Sequence, residues 1–111
     1  LTVSVSDSIP DDLPAAVDHA VGRIVQESLA NAARHSEGAT VTVGVTAVDR
    51  DVRVDVVSRG ARRQPGAALH GSGWGLELIR ERVHSLRGEL TAGPEGDAWA
   101  VRARIPLGPA R

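Results

Sequence analysis

Apolar and polar residues alternate along five segments of the chain, which is the pattern of strands with one buried face. These segments are the stretch around Val3 and Val5, and then 39–48, 52–56, 89–92 and 98–105. A short turn at 49–51 joins the second and third segments, so we predict a β-hairpin there. The GPEGD turn joins the last two.

Two other segments repeat apolar residues at intervals of three and four, which is typical of amphipathic helices. The first helix should begin near Asp12, with Pro14 in its first turn, and run to about His35. The second should begin near Leu76, and we expect Gly88 to cap its end. The order of elements predicts an α/β fold, a two-layer sandwich whose sheet is covered by helices on one face.

Length and composition narrow the range of functions. The 111 residues suit one domain, 1–111, and the formal net charge of −1 gives no general attraction to nucleic acid or to an anionic membrane. The absence of cysteine excludes disulfides and thiolate zinc sites. No apolar run could span a bilayer, and no signal peptide opens the chain. Because the first residue is not methionine, we expect a fragment of a longer protein.

A polar stripe interrupts the first helix. Glu27, Asn31 and His35 are four residues apart, so each is offset by about 40° from the last and all three project from one side. Carboxylate and amide oxygens suit Mg²⁺, while Arg34 and His35 offer donors to phosphate oxygens. The stripe therefore indicates nucleotide binding. The alternative is the solvated face of an ordinary amphipathic helix.

The segment GSGWGL, 71–76, places three alternate glycines directly before the second helix. Glycines allow the backbone to approach a ligand closely, and a helix start offers free N–H groups to an anion. The spacing differs from the dinucleotide-binding fingerprint, and the Lys of a P-loop is missing. The segment thus favours a phosphate site of another kind, although glycine-rich loops are also simple hinges.

Together these motifs resemble the ATP-binding domain of sensor histidine kinases, within the superfamily that includes DNA gyrase and the large heat-shock chaperones. IVQESLANAARHSEGATVTV (24–43) is similar to that family's N box. GSGWGLELIRERVHSLRGEL (71–90) is similar to its second glycine box, in the form seen in kinases that pair with LuxR-type response regulators. The resemblance implies the Bergerat-type ATP-binding fold, with a mixed sheet.

The resemblance also implies roles for individual residues. Asn31 would coordinate Mg²⁺, and Glu27, as the catalytic residue, would polarise the attacking group or a water. Arg34 and His35 would contact the phosphates or the ribose. The stretch 59–72 would form a lid over ATP. The nucleotide would also be lined by Gly71, Ser72, Gly73, Gly75 and Leu76.

The first glycine box departs from the family pattern. Most members carry Asp, or sometimes Asn, two residues before a glycine, and that side chain recognises the adenine amino group. Here Ser58 stands in the acid's place and Gly60 follows. A hydroxyl makes a weaker, uncharged contact. Asp55 is a possible substitute, but it lies one strand step away.

The resemblance implies a histidine protein kinase that uses ATP and Mg²⁺. Its partner would be the dimerisation and phosphoacceptor domain of the same kinase and, indirectly, a response regulator. A cytoplasmic location is expected, without contact to nucleic acid or membrane. His19 and His84 lack an acidic motif and are interpreted as surface or packing residues, so the phosphoacceptor histidine lies elsewhere. The alternatives are a regulatory module that scarcely binds ATP and an anti-sigma serine kinase of the same superfamily.

Overall fold

Two helices and seven strands make up the described part of the chain. The computed structural model describes residues 2–8, 13–37, 40–59, 62–63 and 73–107. The elements are β1 (Thr2–Ser8), α1 (Ala15–His35), β2 (Ser36–Glu37), β3 (Thr40–Val48), β4 (Asp51–Arg59), β5 (Arg62–Arg63), α2 (Gly73–Ser85), β6 (Glu89–Glu95) and β7 (Ala98–Pro106). No helix in this part of the chain is long and apolar enough to cross a membrane.

Five strands form one mixed sheet in the order β1-β3-β4-β7-β6. β1 runs parallel to β3, and every other neighbouring pair is antiparallel. The parallel pair requires a crossover, which α1 supplies. Both helices lie on the same face of the sheet, where α1 contacts β3, β4 and α2. The predicted two-layer α/β sandwich is therefore confirmed.

The core lies between the sheet and the two helices. It consists almost wholly of aliphatic side chains, because the chain has only two aromatic residues, both tryptophan. The side chains buried most completely are Ile24, Val41, Val43, Val52, Val54, Val83, Val101 and Ile105. Burial of each such side chain contributes roughly 1.5–3 kcal/mol. Alternation in the strands and three-to-four spacing in the helices direct these residues to one layer.

The hairpin between β3 and β4 turns through two residues, Asp49 and Arg50, with φ of 51° and 69°. Two successive left-handed residues are typical of the type I′ turn, whose twist matches that of the flanking strands. The turn is one residue shorter than the predicted 49–51. The closing strands are also joined more tightly than predicted, because β6 continues past Ala92 and the turn is confined to Gly96 and Asp97.

α1 begins later than the pattern predicts, and α2 begins earlier. The backbone N–H of Asp18 donates to the carbonyl of Pro14 at 2.9 Å, so Pro14 precedes the first helical residue, Ala15. Asp12, the predicted start, lies outside the described residues. α2 begins at Gly73, before Leu76, so two of the glycines in the glycine-rich segment belong to its first turn.

Gly88 caps the end of α2 as predicted, but it does so through its N–H and not through a left-handed backbone. Arg87, not Gly88, has the left-handed backbone, with φ of 66°. The N–H of Gly88 donates to the carbonyl of Val83 at 2.9 Å and satisfies one helix-end acceptor. A Cβ at Gly88 would overlap the backbone oxygen of Arg104. The glycine is needed for close approach of the helix end to β7, and not for its φ.

A two-stranded sheet was not predicted. β2 follows α1 directly, β5 follows β4 after two residues, and the two pair antiparallel, with Ser36 opposite Arg63 and Glu37 opposite Arg62. Strands this short carry no alternation that a sequence pattern could detect. Their pairing fastens the end of α1 to the chain that leaves β4.

Candidate functional site

Three elements meet at the end of the main sheet where β4 ends. α1 joins the parallel strands β1 and β3, so it runs opposite to β3 and in the direction of β4. β6 begins at Glu89, opposite Arg104 of β7, and Arg104 lies opposite Arg53 near the start of β4. Because α2 leads to this end of the sheet, it begins at the other end, where β4 ends. The pairing of β2 with β5 lies where β4 ends too. The C-terminal half of α1, the end of β4 and the start of α2 therefore converge.

Glu27 and Asn31 lie one turn apart in the C-terminal half of α1, and both are half-buried. The Glu27 carboxylate accepts a hydrogen bond from Arg23 Nη2 at 3.4 Å, and its side chain is 20% exposed. The arginine partly balances the carboxylate without enclosing it. Arg34 and His35 close the same helix, but their side chains are outside the described set. The helix thus brings a carboxylate and an amide to one stripe, as its spacing predicts.

Those two side chains would hold a magnesium ion only together with phosphate oxygens and water. Over the described ranges, no group of three or more His, Cys, Asp or Glu side chains could hold a metal. Mg²⁺ is commonly held by one or two protein oxygens, with phosphate oxygens and water completing the octahedron. The amide of Asn31 and the nearby carboxylate of Glu27 fit that requirement.

Ser58 is the penultimate residue of β4 and lies on the side of the sheet that faces the helices. It continues the alternation of Val52, Val54 and Val56, all of which are buried in the core. Its residue exposure is 4%, and Oγ has no hydrogen-bond partner among the described residues. A buried hydroxyl without a partner costs about 1–3 kcal/mol.

The strands beside β4 give Ser58 apolar neighbours. In the register, Ser58 lies opposite Val41 on β3 and opposite Trp99 on β7. Directly opposite residues of antiparallel strands project from the same face. Val41 is fully buried, and Trp99 is half-buried and packs against the main core. The hydroxyl of Ser58 is thus set between an aliphatic side chain and an indole.

Ser28 presents a second buried hydroxyl from the facing helix. It follows Glu27, and it lies four residues from both Ile24 and Ala32, which are buried against the sheet. Ser28 is also 4% exposed, and its Oγ lacks a partner within the part of the chain that the structure describes. Its spacing from Ile24 and Ala32 puts Ser28 on the apolar face of the helix, but only the structure reveals its unsatisfied hydroxyl.

Asp55 does not substitute for the missing acid. Strand alternation puts it on the outer face of the sheet, away from the helices, and its Oδ1 accepts a hydrogen bond from Arg102 Nη1 at 2.7 Å. A carboxylate on the outer face cannot reach a ligand between the layers. Ser58 is therefore the only polar residue of β4 on the helix-facing side of the sheet.

The first turn of α2 contains Gly73, Gly75 and Leu76, the last of which is half-buried. This turn carries no acidic residue, whereas the last turn carries Arg82 and His84. The positive end of the helix dipole is therefore not neutralised from within the first turn, as anion binding there would require. Three predicted site residues, Gly60, Gly71 and Ser72, lie outside the described residues, as does most of the predicted lid, 59–72.

The outer face of the sheet carries a separate set of charges. Arg102 donates two hydrogen bonds to Glu95, both at 2.8 Å, besides the one to Asp55. Arg104 contacts Glu89 at 3.1 Å and Asp51 at 3.4 Å. Hydrogen bonding to Arg102 holds the pKa of the Glu95 carboxyl below its ordinary value. Both arginines, together with Asp55 and Glu89, line an open groove of about 340 Å³ on the opposite face from the predicted site.

The outer charges could have been found in the sequence. Charged residues alternate with apolar ones in the first half of β4, at Asp51, Arg53 and Asp55, and in the second half of β7, at Arg102 and Arg104. Such a period of two predicts a charged face as firmly as the valines predict a buried one.

Comparison with known proteins identifies one family over most of the chain. The family described as "Histidine kinase-, DNA gyrase B-, and HSP90-like ATPase" matches residues 16–109. The nitrate/nitrite sensor protein NarX of Escherichia coli K12 is 34% identical over 67 residues. That match covers 60% of this chain but 11% of NarX, so the chain spans only a small part of this curated relative.

Solved structures agree with this match. The histidine kinase domain of the blue-light activated kinase of Erythrobacter litoralis EL346 is similar, with a TM-score of 0.77 and 25% identity over 96% of this chain and 51% of that one. Full-length ShkA in complex with AMPPNP has a TM-score of 0.72 and 22% identity, over 98% of this chain and 26% of that one. The nucleotide-free catalytic domain of ThkA has a TM-score of 0.70 at 16% identity, covering 96% of this chain and 78% of that one. The latter two likenesses concern the fold alone.

Proposed function

Because the chain belongs to the histidine kinase-, DNA gyrase B- and HSP90-like ATPase family, we propose that it is the ATP-binding catalytic domain of a sensor histidine kinase. It would supply the γ-phosphoryl group of ATP to a histidine on a separate dimerisation domain of the same kinase. The observation that carries the proposal is the convergence of the polar stripe of α1 with the end of β4 and the glycine-containing start of α2.

Positioning and charge neutralisation account for the chemistry in this proposal. Asn31 would hold Mg²⁺, and the ion would supply positive charge to the phosphate oxygens. Glu27 would orient the attacking group by accepting its proton or a hydrogen bond from it. Arg34 and His35 would contact the phosphates or the ribose. The phosphates would lie against the backbone of the segment that contains Gly71, Ser72, Gly73, Gly75 and Leu76.

The segment 59–72 would serve as the lid. Two features support this role: β5 pairs with β2 near one end of the segment, and α2 begins directly after the other end. A loop held at both ends can close over a ligand without loss of register at its anchors. We propose closure over the triphosphate, with exclusion of water from the transferred group.

The wider context is part of the same proposal. We propose that the domain acts within the cytoplasm and passes its signal, through the phosphoacceptor domain, to a response regulator. The resemblance of the second glycine box to kinases that pair with LuxR-type regulators supports this assignment, and so does the match to a nitrate/nitrite sensor protein.

A regulatory module that binds ATP weakly is the second candidate. The observation that favours it is Ser58, whose uncharged hydroxyl occupies the place of the acid found in most family members. Titration calorimetry with Mg-ATP separates the two candidates, since clear submillimolar binding supports the kinase domain and contradicts the degenerate module.

Asn31→Ala is the sharpest test of the binding site. We expect it to weaken the binding of Mg-ATP by at least about tenfold, because loss of a charge-linked contact costs roughly 1.5–3 kcal/mol. The measurement is calorimetric titration with and without excess EDTA, and removal of Mg²⁺ should weaken the wild type far more than the variant. Glu81→Ala, an exposed change on α2, is the matched control and should retain wild-type affinity. Equal affinity of Asn31→Ala and wild type would contradict the assignment.

A further inference from the structure

Two buried hydroxyls face the space between the layers from opposite sides. Ser58 Oγ comes from β4 and Ser28 Oγ from α1, and each residue is 4% exposed. Over the described residues, these are the buried side-chain N and O atoms without a hydrogen-bond partner. Buried polar groups nearly always have a partner, so two exceptions in one layer require a common explanation.

Packing alone does not explain the two hydroxyls. The neighbouring interlayer positions are occupied by alanine and valine, and alanine at either serine position would avoid the cost of burying an unpaired hydroxyl. The positions instead lie where a ligand is proposed. Ser28 follows Glu27 on α1, and Ser58 precedes the residue at which β4 ends and the proposed lid begins. A bound group that hydrogen-bonds to both would satisfy them.

The surroundings match the base of a nucleotide better than its phosphates. Ser58 is flanked by Val41 and Trp99, and Ser28 by Ile24 and Ala32 on its own helix. Pockets for flat organic groups are lined mainly by apolar side chains with a few polar groups that fix orientation. The phosphates, by contrast, need the free N–H groups at the start of α2. The nucleotide would therefore extend from α2 towards the two serines.

We propose that Ser58 and Ser28 hydrogen-bond to the edge of the purine base, and that their hydroxyls allow the site to accept 6-oxo purine nucleoside triphosphates as well as ATP. A carboxylate only accepts hydrogen bonds, so it selects the 6-amino group of adenine and repels a 6-oxo group. A hydroxyl rotates to donate or to accept. The pair can thus match the donor and acceptor order of either edge. This inference rests on the proposed nucleotide-binding function.

Inosine triphosphate is the decisive probe, because it differs from ATP only at the 6-position and the adjoining ring nitrogen. Dissociation constants for Mg-ATP and Mg-ITP are measured by calorimetry on the 111-residue chain. We expect the two constants to agree within about tenfold, the worth of a single neutral hydrogen bond. In Ser58→Asp, the ratio of the ITP constant to the ATP constant should rise by at least about tenfold. Since both ligands are measured on one preparation, loss of folded protein cancels from the ratio.

Alanine variants separate the two serines from general effects. Ser58→Ala and Ser28→Ala should each weaken ATP and ITP by a similar factor of about three to ten. Ser4→Ala, an exposed change on β1, should alter neither. Rejection of ITP by the wild type by more than about a hundredfold, or an unchanged ratio in Ser58→Asp, would overturn this inference while the binding of ATP upholds the proposed function. Failure of both nucleotides to bind would overturn both.

Discussion

At the scale of single residues, the candidate site contains buried hydroxyl groups without hydrogen-bond partners among the described residues, at positions where a ligand is expected. Ser28 and Ser58 each bury a hydroxyl without a partner among the described residues, and we expect this to lower the stability of the nucleotide-free protein. Such a local cost is typical of binding sites, whose residues are not optimised for folding alone. The effect of substituting either serine on the free energy of unfolding can therefore be measured without a ligand, independently of its effect on ligand affinity.

Ser28→Ala should raise the free energy of unfolding of the nucleotide-free protein by about 1 kcal/mol, because it removes an unpaired buried hydroxyl and leaves the volume almost unchanged. Ser58→Ala should act in the same direction. Urea denaturation measures both, with Ser4→Ala expected to lie within about 0.5 kcal/mol of the wild type. A marked loss of stability in Ser28→Ala would indicate that its hydroxyl has a partner within the protein.

Substitutions at the two adjacent residues after α2, Arg87 and Gly88, should change the free energy of unfolding in different directions. Gly88→Ala should lower the free energy of unfolding by about 1–3 kcal/mol, because its Cβ would overlap the Arg104 carbonyl of β7. Arg87→Gly should be tolerated or should stabilise by up to about 1 kcal/mol, since glycine adopts the left-handed backbone without strain. Thermal unfolding of the two variants gives the comparison. Unchanged stability in Gly88→Ala, or a loss in Arg87→Gly as large as that in Gly88→Ala, would contradict this account.

At the scale of elements, the sheet joins two chemically different faces. The helix-facing side of β4 and β7 is mainly aliphatic, whereas the outer side carries arginines paired with carboxylates and, near the end of β4, a small buried cluster of Val57, Ala98 and Ala100. Glu95, at the end of β6, accepts two hydrogen bonds from Arg102 of β7, which lowers its pKa from the ordinary value of 4.5. The raised pKa of Arg102 lies too far into the alkaline range to affect stability near neutrality.

The acid side of the stability profile should depend on Glu95. A carboxyl whose pKa is lowered by folding stabilises the protein above its unfolded pKa, and that stability is lost as the pH falls from about 4.5 through the folded pKa. We expect Glu95→Gln to flatten the decline in thermal midpoint below pH 5. Glu81→Gln, an exposed carboxyl on α2, should leave the profile unchanged. Parallel profiles for Glu95→Gln and wild type would show that the contact with Arg102 adds no stability, as exposed ion pairs often do not.

At the scale of the whole molecule, the alternation of apolar residues predicted the five strands of the main sheet and the two helices, because burial dominates the placement of long periodic segments. The ends of α2 and β6 were less predictable, since they depend on contacts such as the approach of Gly88 to β7. The pairing of β2 with β5 could not be predicted, because strands of two residues are too short to show an alternation of apolar and polar residues. In the site, spacing alone placed Glu27 and Asn31 on one stripe, whereas the unpaired state of Ser28 depends on tertiary packing.

The order of strands gives the main sheet two edge strands of different chemistry, β6 and β1. Along β6, Pro94 has no N–H to offer, and Glu89 and Glu95 add charge, so a further strand would meet both a missing donor and repulsion for acidic partners. β1 consists of alternating valine and hydroxyl residues with Asp7 as its one charge, and its Val5 is 66% exposed. In the described part of the sheet, β1 is therefore the edge strand whose outward backbone N–H and C=O groups are better suited to pairing with an added strand.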